Sequence, residues 1–370
     1  MKYLVLLFLI ANTVFCEHAL YQIKRRGELV YLDSSTGSKR IIASKVNKFK
    51  IMYPLIAYTD PKNGLHALNL LNGQEIDLGR VKKFHLAQDL VAFTNSEETL
   101  YSYDFTNKST QIHDQTVRKF KASKRSVVWV NRQRSLMSYV SSTKQTKLIE
   151  KNCDFFQLAW PMLSYVDLGY QLHGANLKTN KKRIIASSFY KFQASNSGIL
   201  ALDRSYTLRY YNTNLKRVTL VNDIERVRDF KFVDHYILYK QYDTKNLIFR
   251  NLRSPESVTK AYRPKAYQLA PHTLTIIDRE GGLKIENNDY DMAGRNVIKN
   301  VLRKSKYDRL LTGNSIISYS LNKKVYLYNP KVGKEYKLGA SVYWMELQGM
   351  TQLRPLKNLQ RENFDKVYLK

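Results

Sequence analysis

The sequence predicts an all-β fold, a single closed β-propeller of eight or nine compact four-stranded blades. Three observations predict it: a regular repeat, strand-like runs inside each copy, and an incomplete copy at each end. The repeat is clearest in a run that starts on Leu29, Leu65, Leu100, Leu136, Leu172, Leu208, Leu247, Leu283 and Val325. Successive starts lie 36, 35, 36, 36, 36, 39, 36 and 42 residues apart. A period of this size marks a solenoid, an array or a propeller.

What each copy contains decides among them. A copy opens with an aromatic after a basic residue, as in Lys48-Phe49, Lys83-Phe84, Lys119-Phe120 and Lys191-Phe192, with weaker openings at Phe156, Phe230, Tyr267 and Tyr307. A second, apolar run follows, such as Leu55-Ile56-Ala57-Tyr58 or Val127-Val128-Trp129-Val130. The runs are short and rich in β-formers, and Asn, Gly, Asp and Pro separate them. No copy holds an amphipathic helix of useful length, which excludes helical repeats. Four short strands per copy are the content of one compact blade. The chain therefore resembles the β-propeller architecture over residues 19–347. It has no Trp-Asp signature, and Gly281-Gly282 is its single glycine pair, so no blade family follows.

The ends predict how the ring closes. Ala19–Ile23 reads as the second strand of a first copy that lacks its opening strand, and Val342–Leu347 is a strand with no copy after it. The last strand is expected to complete the first blade and so hide two sheet edges.

Outside the repeats, Met1-Lys2 followed by the apolar run Tyr3–Phe15 has the form of a secretory signal, with cleavage expected after Cys16. The expected organisation is a signal peptide over 1–16, a propeller over 17–347 and a basic tail over 348–370, in a secreted, extracellular, monomeric protein with no membrane insertion. Loss of Cys16 leaves Cys153 alone, and it is expected to be a buried apolar residue. Asn107-Lys108-Ser109 is a glycosylation sequon on an expected hairpin, with Asn107 as the acceptor.

Charge carries the functional signal. The chain has 61 basic and 31 acidic residues, a net +30, far more than solubility needs. Basic residues gather between the end of one copy and the opening of the next: Lys45, Lys48 and Lys50; Arg80, Lys82 and Lys83; Arg118, Lys119 and Lys121. Lys191, Arg226 with Arg228, Arg263 with Lys265, and Arg303, Lys304 and Lys306 continue the series. In a propeller these links run from an outer strand to the next inner strand, on one face around the channel. The expectation is a cationic ring that binds polyanions. A generally basic surface is the alternative, because Lys39-Arg40, Lys144 with Lys147, Lys181-Lys182-Arg183 and Lys216-Arg217 would lie on the other face. Either version attracts sulfated glycosaminoglycans such as heparin, polyphosphate or, without sequence specificity, nucleic acid.

Signals for catalysis are missing. None of the seven histidines has metal-ligand spacing to a second His or a Cys. There is no nucleophile elbow and no phosphate-cradling glycine loop. Asp60, Asp167, Asp203, Asp243 and Asp278 recur after second strands and read as turn formers. Of the 27 tyrosines, Tyr58, Tyr103, Tyr139, Tyr165, Tyr211 and Tyr319 share one phase and are expected between blades. The leading expectation is a non-enzymatic polyanion binder that needs no cofactor or metal. The rivals are a protein-interaction scaffold, with charge steering association, and an enzyme or small-ligand carrier using the channel. In its general features, a leader, strong basicity, many tyrosines and no catalytic motif, the chain resembles salivary proteins of blood-feeding arthropods. That resemblance implies interference with host clotting, complement or inflammation.

Overall fold

A computed structural model describes residues 18–347 apart from 24–26, 219–225, 254–256, 288–298, 305–309, 314, 322–323, 331 and 340–341. The expected signal peptide, the basic tail, Tyr307 and Lys306 thus lie outside the described residues. All regular structure among the described residues is β, in nine four-stranded antiparallel sheets. The chain is a nine-bladed propeller, which settles the choice between eight and nine.

Blade 1 joins the two ends of the chain. His18–Ile23, Leu29–Asp33 and Lys39–Ala43 form its outer three strands, and Val342–Leu347 supplies the innermost one. Tyr21 pairs with Met345 and Ala19 with Leu347. At the same seam Asn329 donates from Nδ2 to Ser34 Oγ at 2.9 Å, and the Tyr336 hydroxyl donates to the Ser34 carbonyl at 2.8 Å. Blades 2 to 9 each follow in sequence from inner to outer strand. Their inner strands are Lys48–Met52, Lys83–Leu86, Val117–Ser123, Cys153–Ala159, Lys191–Ser195, Val227–Val233, Ala266–Leu269 and Leu310–Thr312.

The core is a set of walls between blades rather than one centre. Nine apolar clusters occur, each built from two neighbouring blades. Between blades 2 and 3, for example, Leu55, Leu65 and Ala67 meet Phe84, Val91 and Tyr103. The repeated third-strand leucines all lie in these walls, and Leu29, Leu65, Leu100, Leu136, Leu172, Leu247 and Leu283 are fully buried. That burial explains the sequence period: every copy must bring one apolar anchor to the same depth. The phased tyrosines are core residues too, and four of their hydroxyls have hydrogen-bond partners, as where Tyr58 donates to Glu75 at 2.7 Å and Tyr211 to the Ile185 carbonyl at 2.9 Å. Cys153 is buried in the wall between blades 4 and 5.

The loops sort into two faces. Links from outer to inner strand bond to the turns between second and third strands, as where Val117 N donates to Glu98 O and Cys153 N to Arg134 O. These make the link face. On the opposite face the other two hairpins of each blade bond to each other, as where Phe105 N donates to Asp89 O and Leu252 N to His235 O.

Candidate functional site: the hub and the link face

The inner strands fix the geometry of the hub. In each, the opening aromatic pairs with the middle of the second strand: Phe49 with Tyr58, Phe84 with Phe93, Phe120 with Trp129, Phe156 with Tyr165, Phe192 with Ala201 and Phe230 with Tyr239. These rings enter the apolar walls. Because side chains alternate along a strand, the residues before and after the ring take the other side. The position before the ring reads Lys48, Lys83, Lys119, Phe155, Lys191 and Asp229 around blades 2 to 7. The position after it reads Lys50, His85, Lys121, Gln157, Gln193 and Lys231, then Gln268 in blade 8.

This register divides the hub into two arcs. Across blades 2 to 4 the first position is always lysine, and the second is lysine in blades 2 and 4 and histidine in blade 3. Lys48, Lys83 and Lys119 are exposed, and Lys50 and Lys121 are half-buried. Among the described residues none of Lys48, Lys50, Lys83 or Lys121 has a carboxylate within ion-pair distance. Burial first, and then the charge of Lys50, lowers the pKa of the Lys121 ammonium. His85 sits between them and is held down to about 4 by burial and by Lys50, Lys121 and Lys83, so at neutral pH it is uncharged.

Blades 5 to 8 are different. Gln157 donates to the Phe192 carbonyl at 3.1 Å and accepts from Ala194 N at 3.2 Å, so its amide laces one inner strand to the next. Gln193 accepts from Phe232 N at 3.1 Å, and Gln268 donates to the Leu310 carbonyl at 3.1 Å. Lys191 forms an ion pair with Asp229 and donates to the Phe230 carbonyl at 2.9 Å; the Tyr267 hydroxyl donates to the same Asp229 carboxylate at 2.9 Å.

The predicted cations therefore occupy three environments. Lys48, Lys50, Lys83, Lys119 and Lys121 come together on the hub, with Arg118 in the irregular register that opens its strand. Lys191 reaches the hub but is neutralised. Arg228 opens the blade 7 inner strand in the same irregular way as Arg118. Lys45, Lys82, Arg226, Arg263 and Lys265 lie in links, and Arg80 ends an outer strand. Lys82 is tied to Glu98 at 2.8 Å, a carboxylate that Arg132 shares at 3.1 Å. Arg303 and Lys304 belong to the outer strand Lys299–Lys304 rather than to a link. The expected ring is thus a strong arc over blades 2 to 4 and a compensated one beyond. The exposed outer strands Lys39–Ala43, Gln145–Glu150 and Lys181–Ala186 also carry cations, so basic residues are found well beyond the hub.

The recurrent aspartates are turn formers. Asp60 Oδ1 accepts from Lys62 N at 2.8 Å and Gly64 N at 2.7 Å, and Asp203 and Asp278 repeat the pattern. Their second oxygens explain the third-strand histidines. His173 Nε2 lies 2.8 Å from Asp167, as Arg209 Nε lies 2.7 Å from Asp203, six residues apart in both blades. No group of three or more His, Cys, Asp or Glu residues could hold a metal among the described residues. Asn107 is exposed in the hairpin between Leu100–Asp104 and Ser109–Asp114, where its amide donates to Asp104 at 3.0 Å.

Sequence reasoning missed an aromatic group on the link face. Tyr190 and Tyr206 stack at 5.2 Å, Tyr206 and Tyr242 meet at 4.9 Å, and the Arg226 guanidinium lies 5.3 and 4.4 Å from the last two rings. These residues sit in turns and links outside the phased tyrosines, so the strand repeat gave no signal for them.

A family model described as a 10-bladed beta propeller domain matches residues 22–175, less than half of the chain. Among solved structures, the crystal structure of a eukaryotic initiation factor aligns with a TM-score of 0.58 at 9% identity, over 90% of this chain and 98% of that one. The computationally designed Ika8 protein aligns at 0.40 and 11% identity, over 81% and 96%. Hsv2p of Kluyveromyces lactis aligns at 0.39 and 13%, over 70% and 98%. No curated protein matches the chain in sequence.

Proposed function

We propose that the protein is an exported, non-enzymatic binder of polyanions, such as heparin-like glycans, polyphosphate or nucleic acid, and that the hub arc of blades 2 to 4 is its principal contact. One observation carries this reading. Lys48, Lys50, Lys83 and Lys121 share the inner strands of three consecutive blades without a carboxylate partner among the described residues. Like charges held together on a rigid scaffold oppose folding, and glutamine at the same register in blades 5, 6 and 8 shows that the fold does not require them. A bound polyanion would offset the repulsion and release counterions, which makes the interaction steep in salt.

Chromatography on immobilised heparin tests it. The protein is expected to elute above about 0.3 M NaCl, and Lys50→Gln with Lys121→Gln is expected to move elution to clearly lower salt. Elution of the unmodified protein well below that concentration, or no change on substitution, would contradict the reading.

A further inference from the structure

On the link face next to the lysine arc, consecutive turns and links of blades 5 to 7 carry aromatic residues that the fold does not bury. In chain order they are Tyr170 in the blade 5 turn, Tyr190 in the following link, Tyr206 in the blade 6 turn, Tyr242 in the blade 7 turn and Tyr262 in the link after it. Tyr170 is 67% exposed and Tyr262 is 76% exposed. Neither ring has a stacking or cation partner among the described residues. All five share the link face, because these turns and links bond to one another: Val227 N donates to Tyr206 O and Tyr242 N to Arg226 O.

Two features separate this group from ordinary surface tyrosines. First, Tyr170 and Tyr206 have φ of 58° and 65°, at the turn position that Asn63, Glu98, Arg134 and Gly281 fill in other blades. The left-handed region is costly for a bulky side chain and suits Asn or Gly. Among the described residues that fill this position, Tyr170 and Tyr206 are the two aromatic ones, and they stand in consecutive blades. Second, the rings alternate with arginines. Arg226 lies against Tyr206 and Tyr242 with no carboxylate partner among the described residues, which leaves its N–H edge to solvent. Arg204 and Arg263 extend the series, and at Arg204 a shallow cleft of about 400 Å³ is lined by Ser187, Ser188, Asp203, Ser205 and Arg209 as well. The acids here are Asp167, paired with His173 in the turn that carries Tyr170, Asp203, tied to Arg209 and Ser205, and Asp243.

Sulfated glycans and polyphosphate have charge but no π-face, and duplexes keep their bases stacked inside. A single strand offers both free bases and phosphates. We propose that this face is a platform for single-stranded nucleic acid, in which bases stack on Tyr170, Tyr242 and Tyr262 while Arg204, Arg226 and Arg263 hold phosphates. The proposal rests on the polyanion reading and assigns it a ligand class and a second contact.

The test uses the full chain and a fluorescent 12-nucleotide oligo-dT, followed by anisotropy at fixed salt, with a duplex of equal length and immobilised heparin as comparators. The strand is expected to bind more tightly than the duplex. Tyr170→Ser combined with Tyr262→Ser, which removes only exposed rings, should weaken it about five- to 150-fold per stacked base lost. Tyr206→Asn, which suits the left-handed turn, should weaken it as well, while heparin elution stays fixed. Equal strand and duplex affinity, or unchanged strand affinity in the tyrosine variants, would overturn the platform and leave the polyanion reading standing. Failure to bind either heparin or the strand would overturn both.

Discussion

Lys191 of blade 6 and Asp229 of blade 7 form an ion pair across a blade boundary, 38 residues apart in sequence and one blade apart in space. The Tyr267 hydroxyl of blade 8 joins the same carboxylate at 2.9 Å, so a single acid ties three inner strands. Burial would raise the Asp229 pKa, but Lys191 and Lys231, with the hydrogen bonds from Lys191 and Tyr267, outweigh it and hold the carboxyl below its usual range.

Asp229→Asn should therefore destabilise the protein and strengthen its grip on polyanions, two effects that rarely coincide. At neutral pH the loss should be about 1–3 kcal/mol, because Lys191 and Lys231 keep their charge without a counterion. A carboxyl with a depressed folded pKa contributes stability that is present above about pH 4 and lost as pH falls through the folded value. The gap between variant and parent in urea denaturation should accordingly narrow toward pH 3. Heparin elution should move to higher salt.

Relief of the opposite arc should do the reverse. Lys121→Gln places in blade 4 the residue that blades 5 and 6 carry at this register. The thermal midpoint at low salt should rise by a few degrees, equivalent to about 0.5–1 kcal/mol, and heparin retention should fall. An unchanged midpoint would mean that Lys50 and Lys121 do not strain the hub.

One buried and two half-buried histidines make the fold sensitive to acid. His18 is held down to about 4 mainly by burial, with Nδ1 2.6 Å from the Tyr31 hydroxyl and its ring stacked on Tyr53 at 4.0 Å. His85 and His113 are lowered to about 4 as well, burial being the largest cause for each. The unfolded chain takes up these protons near pH 6.5, whereas the folded chain accepts them only near 4. Stability should fall as pH drops through that window, by up to about 3 kcal/mol per histidine. Urea midpoints at pH 7 and pH 4.5 check this, and His18→Gln should flatten part of the slope.

Ring closure depends on one strand. Met345 and Leu347 are buried in the wall between blades 9 and 1. A chain ending at residue 341 would lose the inner strand of blade 1 and expose an unpaired edge. It should aggregate or melt at least 10 °C lower; light scattering and calorimetry would show it. A monomer as stable as the full chain would rule out this role for the closing strand.

Much of this architecture was legible in the chain. Leu29 through Leu283 recur because each wall needs an anchor at one depth, and Ala19–Ile23 and Val342–Leu347 were recognisable as two parts of one blade. The steps of 39 and 42 residues fall where the link after Val218 and the hairpin after Asn287 are longest. The site was less legible because charge must be read across blades as well as along the chain. Lys191 sits in a Lys-Phe opening like Lys48, yet its partner Asp229 lies one repeat later. The glutamines could have been found by aligning inner strands, where Lys50, His85, Lys121, Gln157 and Gln193 share one column. Tyr206 could not, since its turn position takes Asn, Glu, Arg or Gly in other blades and nothing local marks an aromatic there.

The central claim is that the disc concentrates unpaired cations on the inner strands of blades 2 to 4, and matched charge removal tests it most directly. Lys48, Lys50, Lys83 and Lys121 are changed to Gln in one protein, and Lys39, Lys144, Lys147 and Lys181 in another, with heparin elution measured for both. The inner-strand variant should elute at markedly lower salt while the other stays near the parent. Equal shifts in the two would contradict the account and leave only a uniformly basic surface.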